Sequence, residues 1–137
     1  MPHKLFIVAG MHRSGTSLIA RMLEVCGIRL PGELVGPAED NQKGFFEDRA
    51  IVKINDELLR VLGVRWDSMD GFFLDKASFS HPKFNHLKRK AKDLLVERVA
   101  LDTDWAFKDP RISRLTGFWL PLIEKAEIPY KFVITVR

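Results

Sequence analysis

The apolar residues of the chain fall into runs that predict an alternation of strands and helices. A continuous apolar run over Leu5–Ala9 ends at a glycine, which is typical of a parallel strand buried on both faces. Apolar positions at helical spacing follow over Thr16–Val25, and Gly27 is the predicted end of that helix. The last apolar run, over residues 130–136, is rich in β-branched and aromatic residues and predicts a second strong strand.

Three more helices are predicted between these two strands. Helical spacing of the apolar positions covers residues 47–62, 84–101 and 112–126. In the last of these, Pro121 predicts either a kink or a fresh helix start, because proline removes a helical hydrogen bond and its ring clashes with the preceding turn.

A short strand is predicted over residues 105–111, and it runs into a turn because Asp109, which precedes Pro110, is disfavoured in helical geometry. Residues 28–44 are rich in glycine, proline and polar residues, and residues 64–82 are irregular and aromatic, so both are predicted loops. No repeat, low-complexity tract or linker interrupts the pattern. The sequence therefore predicts one α/β domain over all 137 residues, with a parallel sheet and flanking helices.

Composition and charge limit the classes of ligand that such a domain is expected to bind. An apolar fraction of 46% is enough to build a core, and a charged fraction of 29% does not indicate a disordered tail. The 22 basic and 18 acidic residues give a net charge of +4, which suits an anionic ligand but does not indicate nucleic acid. The densest basic run, residues 86–92, interleaves with helix-spaced apolar residues and is predicted to be the solvated face of a helix.

The cysteine count and the opening apolar run bear on the compartment. Cys26 is the only cysteine, so no intrachain disulfide forms. It continues the apolar stripe of Leu18 and Met22 and is predicted to be a buried thiol. The apolar run over residues 5–11 is too short for a membrane span and lacks a small-residue cleavage site, so a soluble, cytoplasmic protein without a membrane span is expected.

The first predicted strand and helix are joined by the sequence VAGMHRSGTS, which has the spacing of a phosphate-binding P-loop. Gly10 and Gly15 bracket four residues, and Ser17 closes the motif. The motif requires a lysine after its second glycine, but Thr16 occupies that position, and the cation lies earlier, at Arg13. The alternative is that the two glycines serve only a tight turn between strand and helix.

A P-loop binds anions because successive backbone N–H groups and a helix N-terminus converge on them. In nucleoside triphosphatases its lysine reaches the terminal phosphates, and a strand-end aspartate helps to position Mg²⁺. The lysine is absent from this loop, and the last strong strand ends at Arg137 rather than at an acid. Both departures favour an anion site of cations and N–H groups that needs no metal.

Four motifs in this order resemble those of the P-loop sulfotransferases, which use 3′-phosphoadenosine-5′-phosphosulfate (PAPS). The 5′-phosphosulfate loop of that family is similar to MHRSGTS, with its cation at Arg13 and a threonine at Thr16. Bacterial members have a segment similar to NQKGFFED, and tyrosylprotein and bacterial carbohydrate-type members have an element similar to FKDPR. The strand whose terminal arginine grips the 3′-phosphate resembles FVITVR, which ends at Arg137.

The resemblance implies roles for individual residues. A cation that stabilises the leaving 5′-phosphate corresponds to Arg13, with Lys108 as a second candidate. The alternative for Lys108 and Arg111 is simple pairing with carboxylates at the sheet edge. The implied cofactor-binding residues are Arg13, Ser14, Gly15, Thr16, Ser17 and Arg137.

An acceptor hydroxyl also needs a general base, and the resemblance offers two glutamates. Members that act on carbohydrates or tyrosyl peptides use a glutamate just beyond the P-loop helix, and Glu33 and Glu47 both fit. Glu47 is preferred. The alternative is that Glu47 has no catalytic role and is an acid in the first turn of a predicted helix, where the helix dipole stabilises a carboxylate. Glu33 lies in a predicted loop and is otherwise a solvated acid.

The resemblance and the motif residues together predict a sulfotransferase that moves a sulfuryl group from PAPS to a hydroxyl or amine acceptor. The acceptor is a saccharide, lipid, peptide or small alcohol, and no metal is expected. The alternatives are a non-catalytic nucleotide-binding module or enzyme remnant and an atypical P-loop kinase. Relative to the family, the chain is expected to be truncated after Arg137. For that reason we expect the chain by itself to have weak or no sulfotransferase activity and to self-associate through the sheet edge.

Overall fold

The computed structural model describes residues 2–10, 15–34, 36, 46–65 and 74–136. In these residues a three-stranded parallel sheet is flanked by four α-helices, with two short 3₁₀ turns before the third helix. The elements in chain order are β1 (Leu5–Ala9), α1 (Thr16–Val25), α2 (Arg49–Leu62), the turns Lys76–Phe79 and Pro82–Phe84, α3 (Asn85–Val99), β2 (Trp105–Lys108), α4 (Ile112–Lys125) and β3 (Tyr130–Ile134).

The sheet has the strand order β2-β1-β3, and both strand pairs are parallel. Leu5 pairs with Trp105 on one side and with Tyr130 on the other, while Val8 pairs with Lys108. The central strand β1 is almost entirely buried, which confirms the predicted parallel strand. Because the strands are parallel, their carboxyl ends meet at one edge of the sheet, where Lys108 ends β2.

The apolar core lies between the sheet and helices α2, α3 and α4, and aromatic rings fill much of it. Phe118 packs edge-on against Phe79 and Trp119, with ring centroids 5.6 and 5.5 Å apart. Trp119 in turn packs against Phe107 of β2 at 5.8 Å. Aromatic pairs of this kind each contribute about 0.5–1.5 kcal/mol beyond the area that they bury. The aromatic residues therefore fix α4 against the sheet edge that carries β2.

The helices lie where the sequence predicts them, with ends shifted by a few residues. The predicted helix over residues 47–62 begins at Arg49, because the side chain of Asp48 caps it by accepting a hydrogen bond from the Ala50 N–H. Helix α4 continues through Pro121 as one helix. The predicted basic run lies on the exposed side of α3, as expected, and β3 ends at Ile134 rather than at residue 136.

The predicted burial of Cys26 is wrong. Cys26 caps the C-terminus of α1 and is exposed, and the apolar side chains before it on the same stripe, Leu18 and Met22, are 65% and 53% exposed. The helix instead buries Thr16 and Ala20, which are one turn apart. Small residues on that face let α1 lie close to the sheet, so the more apolar stripe faces outward. Helical spacing identified the helix but not the face that it buries.

Candidate functional site

Helix α1 has its N-terminus at the carboxyl edge of the sheet, where Ser17 meets Lys108 at the end of β2. Gly15 caps the helix with a φ of 87°, a left-handed conformation that side chains other than glycine rarely adopt, and no side chain caps the helix in its place. Thr16 is buried at the start of the helix, and Ser17 follows it. The predicted site residues Arg13, Ser14 and Arg137 lie outside the residues that the structure describes, so their roles stay predictions.

Lys108 reaches this helix N-terminus from the neighbouring strand. It is the last residue of β2, it is buried, and it pairs in register with Val8 of β1. Its Nζ donates hydrogen bonds to Ser17 Oγ at 3.1 Å and to Glu47 Oε1 at 3.0 Å. A lysine ammonium therefore lies at the first turn of α1, although the sequence before this helix lacks the lysine that the predicted P-loop motif requires.

Glu47 provides the carboxylate of this arrangement. It lies one residue before the N-cap of α2, so it is not in the first helical turn as the sequence suggested, and it is buried. Its second oxygen, Oε2, lies 3.8 Å from Arg111 Nη1. Burial raises the pKa of Glu47 above its ordinary value, and the nearby Asp109 carboxylate adds to the rise, while the charge of Lys108 opposes it.

The turn after β2 is held by Asp109, which is fully buried. Its carboxylate accepts hydrogen bonds from Asn55 Nδ2 at 2.9 Å, from the Arg111 backbone N–H at 3.0 Å and from Arg111 Nη1 at 2.8 Å. The amide of Asn55 is fixed in turn, because its Oδ1 accepts a hydrogen bond from Trp119 Nε1 at 2.7 Å. This network connects α2 and α4 to the turn and holds Lys108 at the sheet edge.

Sequence reasoning missed Asn55 and Trp119 as parts of this network. Asn55 lies in the apolar stripe of α2, next to the buried Ile54, and it is completely buried. A polar residue at a core position of an amphipathic helix needs hydrogen-bond partners, so its position in the stripe was the available signal.

Arg111 contacts carboxylates on two sides, and Lys108 pairs with Glu47, so both cations make the carboxylate pairs that the simpler alternative for them predicted. Its Nη1 pairs with Asp109, and its Nε lies 2.8 Å from Asp56 Oδ1. Burial alone lowers the pKa of Arg111, but the charges and hydrogen bonds of these carboxylates outweigh that effect and raise it. Arg111 is therefore a permanent positive charge within 4 Å of the Glu47 carboxylate.

Glu33, the other glutamate considered as a base, lies in a different environment. Its side chain is 77% exposed, and its Oε1 lies 3.6 Å from Arg49 Nε at the surface. Its backbone carbonyl accepts a hydrogen bond from the Arg49 N–H at 2.8 Å. Of the two glutamates, Glu47 is the one whose carboxylate contacts Lys108.

The arrangement combines a helix N-terminus, a buried ammonium group and a buried carboxylate. The N–H groups of the helix start and the Lys108 ammonium favour an anion. The Glu47 carboxylate lies on the other side of the same ammonium group and has a raised pKa, which makes it a better proton acceptor than a solvated glutamate. Such a site can bind an anionic group and accept a proton beside it.

No family model, curated protein or solved structure matches the chain. None of the helices in the described residues is long and apolar enough to cross a membrane. The same residues contain no group of three histidine, cysteine, aspartate or glutamate side chains arranged to hold a metal ion.

Proposed function

We propose that the chain is a P-loop sulfotransferase that moves a sulfuryl group from PAPS to a hydroxyl or amine acceptor. The observation that carries this proposal is the position of Lys108 Nζ, which bridges Ser17 on the P-loop helix and the carboxylate of Glu47. A cation from the neighbouring strand thus takes the place of the lysine that the loop lacks. The fold, a parallel sheet with this loop after β1, is compatible with the proposal.

The donor's 5′-phosphosulfate binds at the N-terminus of α1 in this proposal. Gly15 lets the backbone turn into the helix, and Thr16 and Ser17 supply N–H and hydroxyl donors to the phosphate. The Lys108 ammonium lies against Ser17 and neutralises the bound anion. The resemblance adds Arg13 and Ser14 to the same loop and assigns the 3′-phosphate to Arg137.

The transfer step requires one bond to form and one to break. The acceptor oxygen or nitrogen bonds to sulfur, while the bond between sulfur and the bridging oxygen of the 5′-phosphate breaks, and its electron pair stays on the phosphate. Lys108 stabilises the charge that grows on that oxygen, so it favours the transition state over the ground state. The Glu47 carboxylate accepts the proton that the acceptor loses.

Donor binding and base strength are coupled through Lys108 in this mechanism. The Lys108 ammonium is shared between Ser17 and Glu47, and an anionic donor competes with Glu47 for it. When the donor draws that positive charge away, the pKa of Glu47 rises further, since Lys108 lowers that pKa more than the other nearby cation, Arg111, does. The base is therefore strongest when the donor is in place.

Binding measured by calorimetry tests the proposal before any acceptor is known. We expect adenosine 3′,5′-bisphosphate, the product of the donor, to bind without Mg²⁺ and more tightly than ADP with Mg²⁺. Transfer from sulfur-labelled PAPS to a panel of saccharide, peptide, lipid and alcohol acceptors then tests catalysis. Tighter, Mg²⁺-dependent binding of ADP contradicts the proposal in favour of a kinase, and bisphosphate binding without transfer to any acceptor favours a non-catalytic binding module.

A further inference from the structure

A second buried ion pair lies directly beside the candidate site and takes no part in the mechanism above. Arg98 of α3 donates from Nε and Nη2 to Asp48 Oδ2, at 3.2 and 3.0 Å. Both side chains are almost completely buried, with 6% and 2% exposed. Arg98 Nη1 also pairs with Glu97, whose side chain is exposed. The guanidinium group is thus held in one orientation by carboxylate acceptors on two of its sides.

The other oxygen of Asp48 fixes the start of α2. Its Oδ1 accepts a hydrogen bond from the Ala50 N–H at 3.0 Å, and its backbone carbonyl accepts the first helical hydrogen bond, from Val52 N at 2.9 Å. One carboxylate therefore joins the N-terminus of α2 to the buried arginine of α3. Glu47 is the residue immediately before this junction.

The segment of residues 29–34 packs against the pair at Gly32. At Gly32, whose φ is 88°, a Cβ atom would lie 2.7 Å from Arg98 Nη2 and from both carboxylate oxygens of Asp48, so a larger residue does not fit. The segment is held at both ends: Arg29 forms a bridge to Trp105 of β2, and Leu34 forms an antiparallel bridge to Asp48.

We propose that Arg98 is a positioning residue: by fixing Asp48 it determines where the Glu47 carboxylate lies relative to Lys108. A buried ion pair contributes little net stability compared with apolar side chains of similar volume, because desolvation offsets most of the attraction. The main contribution of the Arg98–Asp48 pair is therefore to hold both side chains in one fixed geometry. The pair joins α3 to the start of α2 and, at Gly32, to the segment of residues 29–34. Glu47 is the residue immediately before Asp48, so its position depends on this junction. The catalytic consequence rests on the proposed function, whereas the geometric role does not.

Titration of the Glu47 carboxyl carbon by ¹³C NMR tests the geometric role without any substrate. The test variant is the double substitution Arg98→Met and Asp48→Asn, which removes both charges while asparagine still caps α2. We expect the pKa of Glu47 to fall toward the ordinary value. A carboxylate that is no longer fixed gains solvent, and the loss of burial, the largest cause of the raised pKa, outweighs the loss of the opposing Lys108 charge. The charged groups that face it, Lys108, Arg111 and Asp109, are unchanged in the variant.

Two further variants sharpen the test. Arg98→Lys keeps the charge but not the fork of donors, so we expect a smaller fall in the Glu47 pKa than in the double variant. This single variant also serves as the test if the double variant does not fold. Arg60→Met, which breaks an exposed pair with Glu57 on α2, is the matched control, and we expect no shift. An unchanged Glu47 titration in Arg98→Lys and in the double variant overturns the proposal.

Kinetics separate this inference from the proposed function. With a sulfate acceptor in hand, we expect the double variant to lower kcat about 10- to 100-fold with little change in KM for the donor, because the base is displaced and the donor site is not. If the wild type transfers no sulfate but its Glu47 titration shifts in the variants, the proposed function fails and the positioning role stands. If the wild type transfers sulfate and the variants leave kcat unchanged, the positioning role fails.

Discussion

Glu47 and Asp48 are neighbours in the sequence, and each buries its carboxylate against a cation, yet the two carboxylates are held in different ways. Asp48 receives two hydrogen bonds from the planar fork of Arg98 and a third from a backbone N–H at the start of α2. Glu47 accepts a hydrogen bond from the ammonium of Lys108, which also bonds a serine hydroxyl at the start of α1, and its other oxygen lies 3.8 Å from Arg111.

The difference separates a fixed carboxylate from an exchangeable one. An arginine fork matches a carboxylate in one geometry, whereas a lysine is a point charge on a flexible chain. Asp48 is therefore suited to holding a junction of three elements together. Glu47 is suited to exchanging its partner, because an anion bound at the helix N-terminus would compete for the same ammonium group. The chain places the rigid pair directly beside the exchangeable one.

Removing the proposed proton acceptor, Glu47, gives the largest expected effect. Glu47→Gln retains the shape of the side chain but does not accept a proton at neutral pH, so we expect transfer to fall about 10²- to 10⁴-fold. Binding of adenosine 3′,5′-bisphosphate by calorimetry should persist, since the phosphates do not need the base. Glu33→Gln is the matched control, and loss of transfer in that variant with retention in Glu47→Gln would exchange the two roles.

Breaking the fixed pair comes next in size. Asp48→Ala leaves Arg98 buried without its main partner and removes the cap of α2, so we expect a loss of about 3–5 kcal/mol in the free energy of unfolding. Urea denaturation followed by circular dichroism measures it. Glu57→Ala, which breaks an exposed pair on α2, should cost much less. Equal losses in the two variants would contradict the contrast between a buried, fixed pair and a surface pair.

Replacing the fork by a point charge sharpens the comparison. Arg98→Lys keeps a cation opposite Asp48 but loses at least one of its two hydrogen bonds, so we expect a loss of about 2 kcal/mol in the free energy of unfolding, less than for Asp48→Ala. The same denaturation series measures it. No difference between wild type and Arg98→Lys would mean that the fork geometry is unimportant at Asp48.

The pH dependence of stability gives the smallest expected effect. The pKa of Glu47 is raised in the folded protein above its ordinary value of 4.5, so the unfolded chain loses this proton more readily than the folded one. The contribution of Glu47 to stability is therefore complete below pH 4.5 and is lost as the pH rises through the raised pKa. We expect the stability of wild type relative to Glu47→Gln to fall over that interval in denaturation experiments. A relative stability that rises with pH would contradict the raised pKa.

Much of the fold could be predicted from the sequence, because its signals are local. Leu5–Ala9 and Thr16–Val25 have the predicted bounds, since a continuous apolar run and a helical stripe between glycines mark both ends of each element. The face that α1 buries could not be predicted. Its orientation is set by how closely Ala20 lets the helix approach the sheet, and that distance is a tertiary property.

The candidate site was predicted in part for the same reason. The loop glycines, Lys108 and Glu47 carry recognisable motifs, and the structure brings the last two together. The pairing of Lys108 with Ser17 depends on the register between β1 and β2, which the sequence does not specify. Arg98 occupies an apolar-stripe position of α3, and that mismatch was the one local sign of its buried partner.

The most direct test is whether Lys108 is the cation of the proposed phosphate site. Calorimetry with adenosine 3′,5′-bisphosphate compares wild type, Lys108→Met and Lys92→Met, the last removing an exposed lysine of α3. Thermal melts establish that each variant is folded. We predict that Lys108→Met binds about 10- to 100-fold more weakly than wild type, as expected for a lost hydrogen bond to a charged group, and that Lys92→Met binds as wild type does. Equal affinity of wild type and folded Lys108→Met would contradict the account.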